Sequence, residues 1–353
     1  MSVVYSPLKV FAFADRFGDR QGPLAAPVHI RIKPTNACNQ NCWYCAYRVD
    51  HLALGSEMEI RDRIPREKML EIAGDAIAMG VRAVTFSGGG EPLVYPYLAE
   101  TVRMLGEGGV AIGCLTNGAA LRGDAADALG EWATWVRISI DAWDDESYAK
   151  SRSVRKGTFE RVLENIDAFS DASDRCTIGI SFIVTRENAP HIAEFCRLAY
   201  AVGAQHVKLS ACVVANDVAE NNAYHAEIAD LVADQIAIAR ELEGPSFTIL
   251  DHYHSLPERF VREYDWCPML QILTVIGADL SVYTCQDKAY TPSGVLGSIR
   301  DRSFRTFWSS PETAARVRSL DPRESCRHHC VSNAKNLLLH EYLALDPDHA
   351  AFA

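Results

Sequence analysis

Between residues 28 and 213 the chain alternates apolar and polar side chains with a period of two. It does so in six short runs, at 28–33, 83–87, 110–116, 135–141, 177–185 and 206–213. That period predicts β-strands. Between the runs, residues 66–79, 97–105, 158–170 and 192–201 carry apolar residues at the helical period. Strand–helix alternation predicts βαβ units and a parallel sheet. Parallel strands covered on both faces normally read as continuous apolar runs, and these do not. Ile30 and Ile32 oppose His29, Arg31 and Lys33; Val84 and Phe86 oppose Thr85 and Ser87; Val136, Ile138 and Ile140 oppose Arg137, Ser139 and Asp141; Val207, Leu209, Ala211 and Val213 oppose Lys208, Ser210 and Cys212. One apolar face under helices and one polar face predict a curved sheet around a polar, ligand-holding lumen. A flat sheet with one exposed face is the plainer alternative.

The pattern changes near Glu243-Gly244-Pro245-Ser246, a turn sequence. Beyond it the elements become short and rich in aromatic residues, His and Cys. The expected organisation is an N-terminal extension at 1–27, a barrel at 28–243 and a small α+β domain at 244–353, held partly by metal. Asp251, His252, Tyr253 and His254 fall at this junction, where substrate pockets commonly lie.

Composition narrows the chemistry. A chain of 353 residues with 48% hydrophobic residues can bury a sizeable core. A net charge of −11 argues against a nucleic-acid partner. Lys9, Asp15 and Arg16 interrupt the N-terminal apolar stretch before a secretory signal forms, and no apolar run nears the roughly 20 residues that span a bilayer. A cytoplasmic protein without a membrane partner is therefore expected. In that compartment clustered cysteines are read as metal ligands. Of eleven cysteines, Cys38, Cys42 and Cys45 form one group, and Cys267, Cys285, Cys326 and Cys330 a second. Cys114, Cys176, Cys196 and Cys212 are scattered, as buried core thiols usually are.

Cys38, Cys42 and Cys45 occupy the first loop after a strand, at the end of the sheet where barrel enzymes build their sites. Three thiolates on a 4Fe–4S cluster would leave one iron open for a small ligand. A three-cysteine zinc site is the alternative. Ser87-Gly88-Gly89-Gly90-Glu91-Pro92 ends the second run: its glycines permit close backbone approach, and Glu91 offers a carboxylate for an ammonium group. Thr116-Asn117-Gly118 ends the third run, and Ser139-Ile140-Asp141 ends the fourth with two polar groups suited to ribose hydroxyls. For both, turn or capping chemistry is an equal alternative.

The triad's spacing of three and then two residues, with an aromatic before the last cysteine, resembles the signature of the radical S-adenosylmethionine (radical SAM) superfamily. The resemblance covers about residues 28 to 215. It implies an α/β fold, a partial (β/α)6 TIM-like barrel. It also implies a 4Fe–4S cluster on Cys38, Cys42 and Cys45 that binds S-adenosylmethionine and cleaves it reductively to a 5′-deoxyadenosyl radical. Further, it implies Tyr44 near the adenine, the segment Gly89-Gly90-Glu91 at the methionine amino group, Ser139 and Asp141 near the ribose, Thr116 and Asn117 lining the site, and a reductant such as flavodoxin or ferredoxin.

The second cysteine group is similar to the Twitch domain, the shortened SPASM domain, which implies one auxiliary 4Fe–4S cluster. It departs from the usual pattern in the spacing before Cys285 and in the three residues between Cys326 and Cys330. Structural zinc, with or without His328 or His329, is the alternative.

A thiol donates hydrogen atoms readily, which makes Cys212 a candidate donor. Arg152 is a candidate for orienting a substrate hydroxyl or anion. Tyr283, Gln286, Asp287 and Lys288, which flank Cys285, are weaker candidates, with surface or capping roles favoured. The relatives with a Twitch domain and a short N-terminal segment act on aminocyclitols and aminoglycosides. The expected function is thus hydrogen abstraction from a small polar substrate, ending in dehydrogenation or epimerisation. Maturation of a peptide and a zinc-stabilised binding protein are the alternatives.

Overall fold

The computed structural model describes residues 5–17, 22–49, 52, 54–254, 260, 262–326, 328–346, 348–349 and 352. Ten strands form one sheet: β1 His29–Ile32, β2 Ala83–Phe86, β3 Ala111–Thr116, β4 Ala133–Ser139, β5 Thr177–Val184, β6 His206–Ala211, β7 Thr248–His252, β8 Leu273–Ile276, β9 Ser281–Tyr283 and β10 Val295–Ser298. The helices are α1 Arg66–Ala78, α2 Leu98–Glu107, α3 Gly123–Trp132, α4 Asp145–Arg152, α5 Thr158–Ala172, α6 Ile192–Ala201, α7 Val218–Ala226, α8 Ala229–Arg240, α9 Phe304–Trp308, α10 Pro311–Arg318, α11 Pro322–Ser325 and α12 Asn333–Leu343.

Strands β1 to β7 lie side by side in chain order, all parallel, with helices connecting them. This is the partial barrel expected from the alternation. Ile30, Ile32, Val84, Phe86, Ile112, Val136, Ile138, Ile180, Phe182, Val207 and Leu209 are buried in one core beneath the helices. On the other face Arg31, Arg137, Ser139, Ser181, Lys208 and Ser210 keep partial exposure although they sit on interior strands. That face therefore lines a lumen that side chains do not fill. Two glycines shape it. A Cβ on Gly113 would lie 2.2 Å from the Trp135 ring, and one on Gly179 would lie 2.0 Å from His206. Both rings lie across positions that no larger residue leaves free.

The sheet does not stop at the turn near residue 243. β7 pairs with β6, and β8 pairs in parallel with the free edge of β1. β8, β9 and β10 then run as an antiparallel meander. Ile276, Val282, Leu296, Phe304, Phe307 and Trp308 join the core that the barrel strands and helices share. The C-terminal region thus extends the barrel's sheet and core. The N-terminal segment packs on it as well: Val10 and Phe17 bury against Val28, Met269, Ile272 and Leu339. Tyr5 reaches the base of the lumen, where its hydroxyl meets Arg137 Nη1 at 3.1 Å and His206 Nε2 at 3.2 Å. Among the described residues no helix is long and apolar enough to cross a membrane.

Candidate active site

The first cysteine loop is held from several sides. Asn41 N and Trp43 N donate to the carbonyls of Arg152 and Ser151 at the end of α4. The Asn36 amide donates to Glu59 O at 2.9 Å, and Asn36 Oδ1 accepts from the Tyr290 hydroxyl at 2.6 Å. The thiols of Cys38, Cys42 and Cys45 remain partly exposed and unbridged. Burial pushes the Cys38 and Cys42 thiols up, so a bound cation is needed to hold them as thiolates. Three partly exposed cysteines on one loop fit a 4Fe–4S cluster with one iron left open.

The glycine segment after β2 packs directly against this loop. A Cβ on Gly90 would sit 2.0 Å from Ala37 O, and one on Gly89 would sit 2.3 Å from Asn36 Oδ1. Glu91 is bonded within the protein through both carboxylate oxygens. Its Oε1 accepts from Thr116 Oγ1 at 2.6 Å and Leu93 N at 3.0 Å, and its Oε2 accepts from Asn117 N at 2.8 Å. Glu91, 3% exposed, thus ties the β2 loop to the end of β3, and Oε2, with one donor, keeps acceptor capacity. Thr116 spends its hydroxyl on Glu91, and the Asn117 amide donates to Asn39 Oδ1 in the cysteine loop at 2.7 Å. Both brace the loop.

A second network closes the other side. Asp141 follows β4 with φ +58°, a left-handed backbone uncommon outside glycine. Its carboxylate accepts from Ile183 N at 2.6 Å, from the Tyr44 hydroxyl at 2.8 Å and from Arg152 Nη2 at 2.5 Å. Arg152 also donates to Ile140 O at 3.0 Å and to Gln40 Oε1 at 2.9 Å, with Nη1 3.7 Å from Cys42 Sγ. It is 3% exposed. The expectation that Arg152 meets a substrate is corrected on this geometry: every nitrogen is used inside the protein, joining Asp141 to the cysteine loop. Ser139 stays on the lumen face, with its hydroxyl 3.2 Å from that of Ser181.

Beside the loop lies a cavity of about 580 Å³ lined by Trp43, Tyr44, Val49, Cys212, Asn216 and Glu220 among others. Burial pushes the Cys212 thiol up to about 12, so it stays protonated. Its carbonyl accepts from His225 Nε2 at 2.8 Å, and His225 Nδ1 faces the Tyr253 hydroxyl at 3.1 Å. Asp251 is occupied with His254 at 2.7 Å, and His252 stacks edge-on against Tyr5 at the base of the lumen.

In the C-terminal region Cys267, Cys285, Cys326 and Cys330 line one pocket with Asn336 and Lys288. Burial raises all four thiols, and neighbouring cysteine sulfurs raise those of Cys267, Cys285 and Cys330 further. Four cysteines around one space can ligate one cluster completely, and Cys285, Asp287 and His328 bring potential ligand atoms within 4.8 Å of one another at its edge. Asn336 Nδ2 lies 3.3 Å from Cys267 Sγ, and Lys288 donates to Ser325 O at 2.9 Å. Tyr283 donates to Asp279 at 2.8 Å, and Asp287 accepts from Val331 N at 2.9 Å. Gln286 O accepts from the Tyr47 hydroxyl at 3.2 Å. These residues are structural neighbours of the pocket.

Sequence reasoning did not single out Lys33, Gln40 or Asn39. Lys33 donates to Tyr47 at 2.8 Å and to Gly88 O at 2.7 Å, and burial followed by the charge of Arg31 brings its ammonium down to about 7. Its place on the polar face was legible; its partners, from two other loops, were not.

Residues 32–199 match the Radical SAM superfamily, and residues 267–331 match a family described as an iron-sulfur cluster-binding domain. This chain belongs to the radical SAM superfamily. A 4Fe–4S cluster, S-adenosylmethionine and an auxiliary cluster are the cofactors of a radical SAM protein with this C-terminal domain. The chain is similar to GTP 3′,8-cyclase of Geobacter sulfurreducens, 33% identical over 178 residues, which are 48% of this chain and 51% of that protein. It is similar also to GTP 3′,8-cyclase of Rhodopirellula baltica, 32% identical over 165 residues, 46% of this chain and 42% of that protein. The chain spans about half the length of the curated relatives it matches. In fold it resembles Streptococcus suis SuiB bound to precursor peptide SuiA, with a TM-score of 0.64 at 14% identity over 94% of this chain and 79% of that one. It also resembles anSMEcpe with bound AdoMet, with a TM-score of 0.59 at 15% identity over 90% and 97%. At such identities the likeness speaks to the fold alone.

Proposed function

We propose that this radical SAM protein abstracts hydrogen from a carbon of a small polar substrate of sugar, aminocyclitol or nucleoside type, giving dehydrogenation or epimerisation. When bound and reduced by one electron, from a flavodoxin or ferredoxin, the cluster and S-adenosylmethionine supply a 5′-deoxyadenosyl radical. Cys38, Cys42 and Cys45 hold the cluster at the barrel rim; Tyr44, Gly89, Gly90, Glu91, Ser139 and Asp141 surround the co-substrate; Thr116, Asn117 and Arg152 keep the loops that carry them in register. The observation that carries the reading is the cavity of about 580 Å³ between Tyr44 and Cys212, within the volume range of small-molecule sites. The nucleotide-acting relatives agree with it.

Cys212 would give epimerisation. Its protonated thiol lines that cavity and can return a hydrogen atom to the substrate radical, after which one electron and one proton restore the sulfur.

The test is an anaerobic assay with carbon-deuterated candidate substrates. Deuterium should move into 5′-deoxyadenosine, and Cys42→Ala should abolish the transfer. For an epimerase, Cys212→Ala in deuterated water should lose solvent deuterium from the product. Label transfer that survives Cys42→Ala would refute the proposed function, and deuterium retained in Cys212→Ala would refute the donor.

A further inference from the structure

The unusual spacing of the last two cysteines brings a further donor to their pocket. Three residues separate Cys326 from Cys330, and the middle one, His328, lines the pocket together with Cys267, Cys285, Cys326 and Cys330. The His328 carbonyl accepts from Arg262 Nη2 at 2.5 Å, which fixes the loop through its backbone. The ring is not spent in the same way. Its Nε2 is buried, and among the described residues it has no hydrogen-bond partner. His329, the next residue, takes another course, with its ring edge-on to Phe260 at 5.8 Å.

A buried polar nitrogen without a partner is costly, and native folds keep few of them. The surroundings of His328 supply a reason. A ring nitrogen of His328, a carboxylate oxygen of Asp287 and Cys285 Sγ all lie within 4.8 Å of one another. Donors that share one metal atom, at bonds of about 2.0–2.3 Å, lie up to about 4.5 Å apart. The group therefore needs little movement to meet on one atom. Asp287 already gives an oxygen to Val331 N, which leaves Cys285 and His328 as the closest pair. Other polar side chains around the pocket are committed: Lys288 donates to Ser325 O, and Asn336 Nδ2 lies 3.1 Å from the Tyr264 hydroxyl and 3.3 Å from Cys267 Sγ. Thr284 Oγ1 also has no partner among the described residues, but of the two groups imidazole is the one suited to iron.

We propose that His328 Nε2 is a ligand of the auxiliary cluster and shares one iron with Cys285. The imidazole lends a lone pair to that iron and keeps its proton on Nδ1; no electron or proton is transferred. One corner of the cluster then has two protein donors where each other corner has one. That corner should survive the loss of either donor, whereas the others should not. The inference concerns the C-terminal centre alone and is independent of the substrate reading.

The test uses the whole protein, loaded anaerobically with iron and sulfide and reduced with dithionite. S-adenosylmethionine is left out, so that no co-substrate nitrogen reaches the first cluster. The protein is prepared once with ordinary histidine and once with 15N-labelled histidine. Pulsed EPR should show a strongly coupled nitrogen that changes with the isotope, persists in His329→Ala and vanishes in His328→Ala. Iron and acid-labile sulfide are counted alongside. Cys285→Ala should keep most of its iron, and Cys285→Ala with His328→Ala should lose about four irons per chain. Circular dichroism checks folding; where His328→Ala does not fold, His328→Gln takes its place, and the isotope effect in the wild type decides even without a variant. No isotope-sensitive nitrogen in the wild type, or one that persists without His328, overturns the proposal. Zinc in place of the auxiliary iron, or a Cys285→Ala variant that loses as much iron as the double, overturns it as well. Deuterium transfer from substrate, which tests the proposed function, enters none of these readouts.

Discussion

The Arg152–Asp141 pair allows the bracing of the cysteine loop to be measured. Asp141 is 4% and Arg152 3% exposed, and their ion pair has no water to fall back on. Arg152→Met keeps the length and apolar stem of the side chain but removes the charge. Asp141 then keeps only Ile183 N and the Tyr44 hydroxyl, while Gln40 Oε1 and Ile140 O each lose a charged donor. Leaving one member of a buried pair uncompensated costs about 3–5 kcal/mol. The partner change is Asp141→Asn, because asparagine tolerates the left-handed backbone at this position. The two changes share one network, so they should not add: the double variant should be more stable than the sum of the singles predicts, by about 2–3 kcal/mol. Anaerobic guanidinium titration of wild type, both singles and the double, followed by tryptophan fluorescence, gives the cycle. The single Arg152→Met should also bind less iron at the first site, since the guanidinium it removes holds Gln40 Oε1 in that loop and lies 3.7 Å from Cys42 Sγ. A cost for Arg152→Met below about 1 kcal/mol, or strict additivity, would falsify the bracing role and return Arg152 to the lumen as a substrate contact.

Two further outcomes follow from the lumen's packing and charge. His206 titrates at about 4 in the fold against 6.5 outside it, because burial and then Arg137 and Lys208 oppose its cation. The unfolded chain therefore takes up the proton first as pH falls. The stability that neutral His206 allows is full above pH 6.5 and declines towards pH 4, by about 3 kcal/mol; His206→Gln should remove this stretch from the stability–pH curve, and parallel curves would count against it. Gly113→Ala places a methyl carbon 2.2 Å from the Trp135 ring, which should lower stability by about 1–3 kcal/mol. Adding Trp135→Leu should recover part of that loss in a melting experiment, and no recovery would locate the strain elsewhere.

The chain's local pattern determined a good deal. The alternation along six runs is set by neighbours two residues apart, and the observed strands β1 to β6 begin and end within two residues of those runs. Polar residues on the open face, among them Arg31, Arg137 and Lys208, were visible as one stripe per strand. The triad, too, is contiguous, so its loop could be read directly. What sequence could not decide is which partner each polar group meets. Arg152 read as a ligand-binding group because its type invites ligands, yet it is satisfied from 112 residues away, and Glu91 takes partners 25 and 26 residues away. The pairing of β8 with β1, which draws the C-terminal region into the barrel's sheet, and the seating of Tyr5 beneath Arg137, 132 residues distant, are likewise decided in space. Periodicity records which face a side chain takes. The tertiary fold alone brings distant charges to one place, and there the balance between desolvation and pairing decides which of them hold the scaffold.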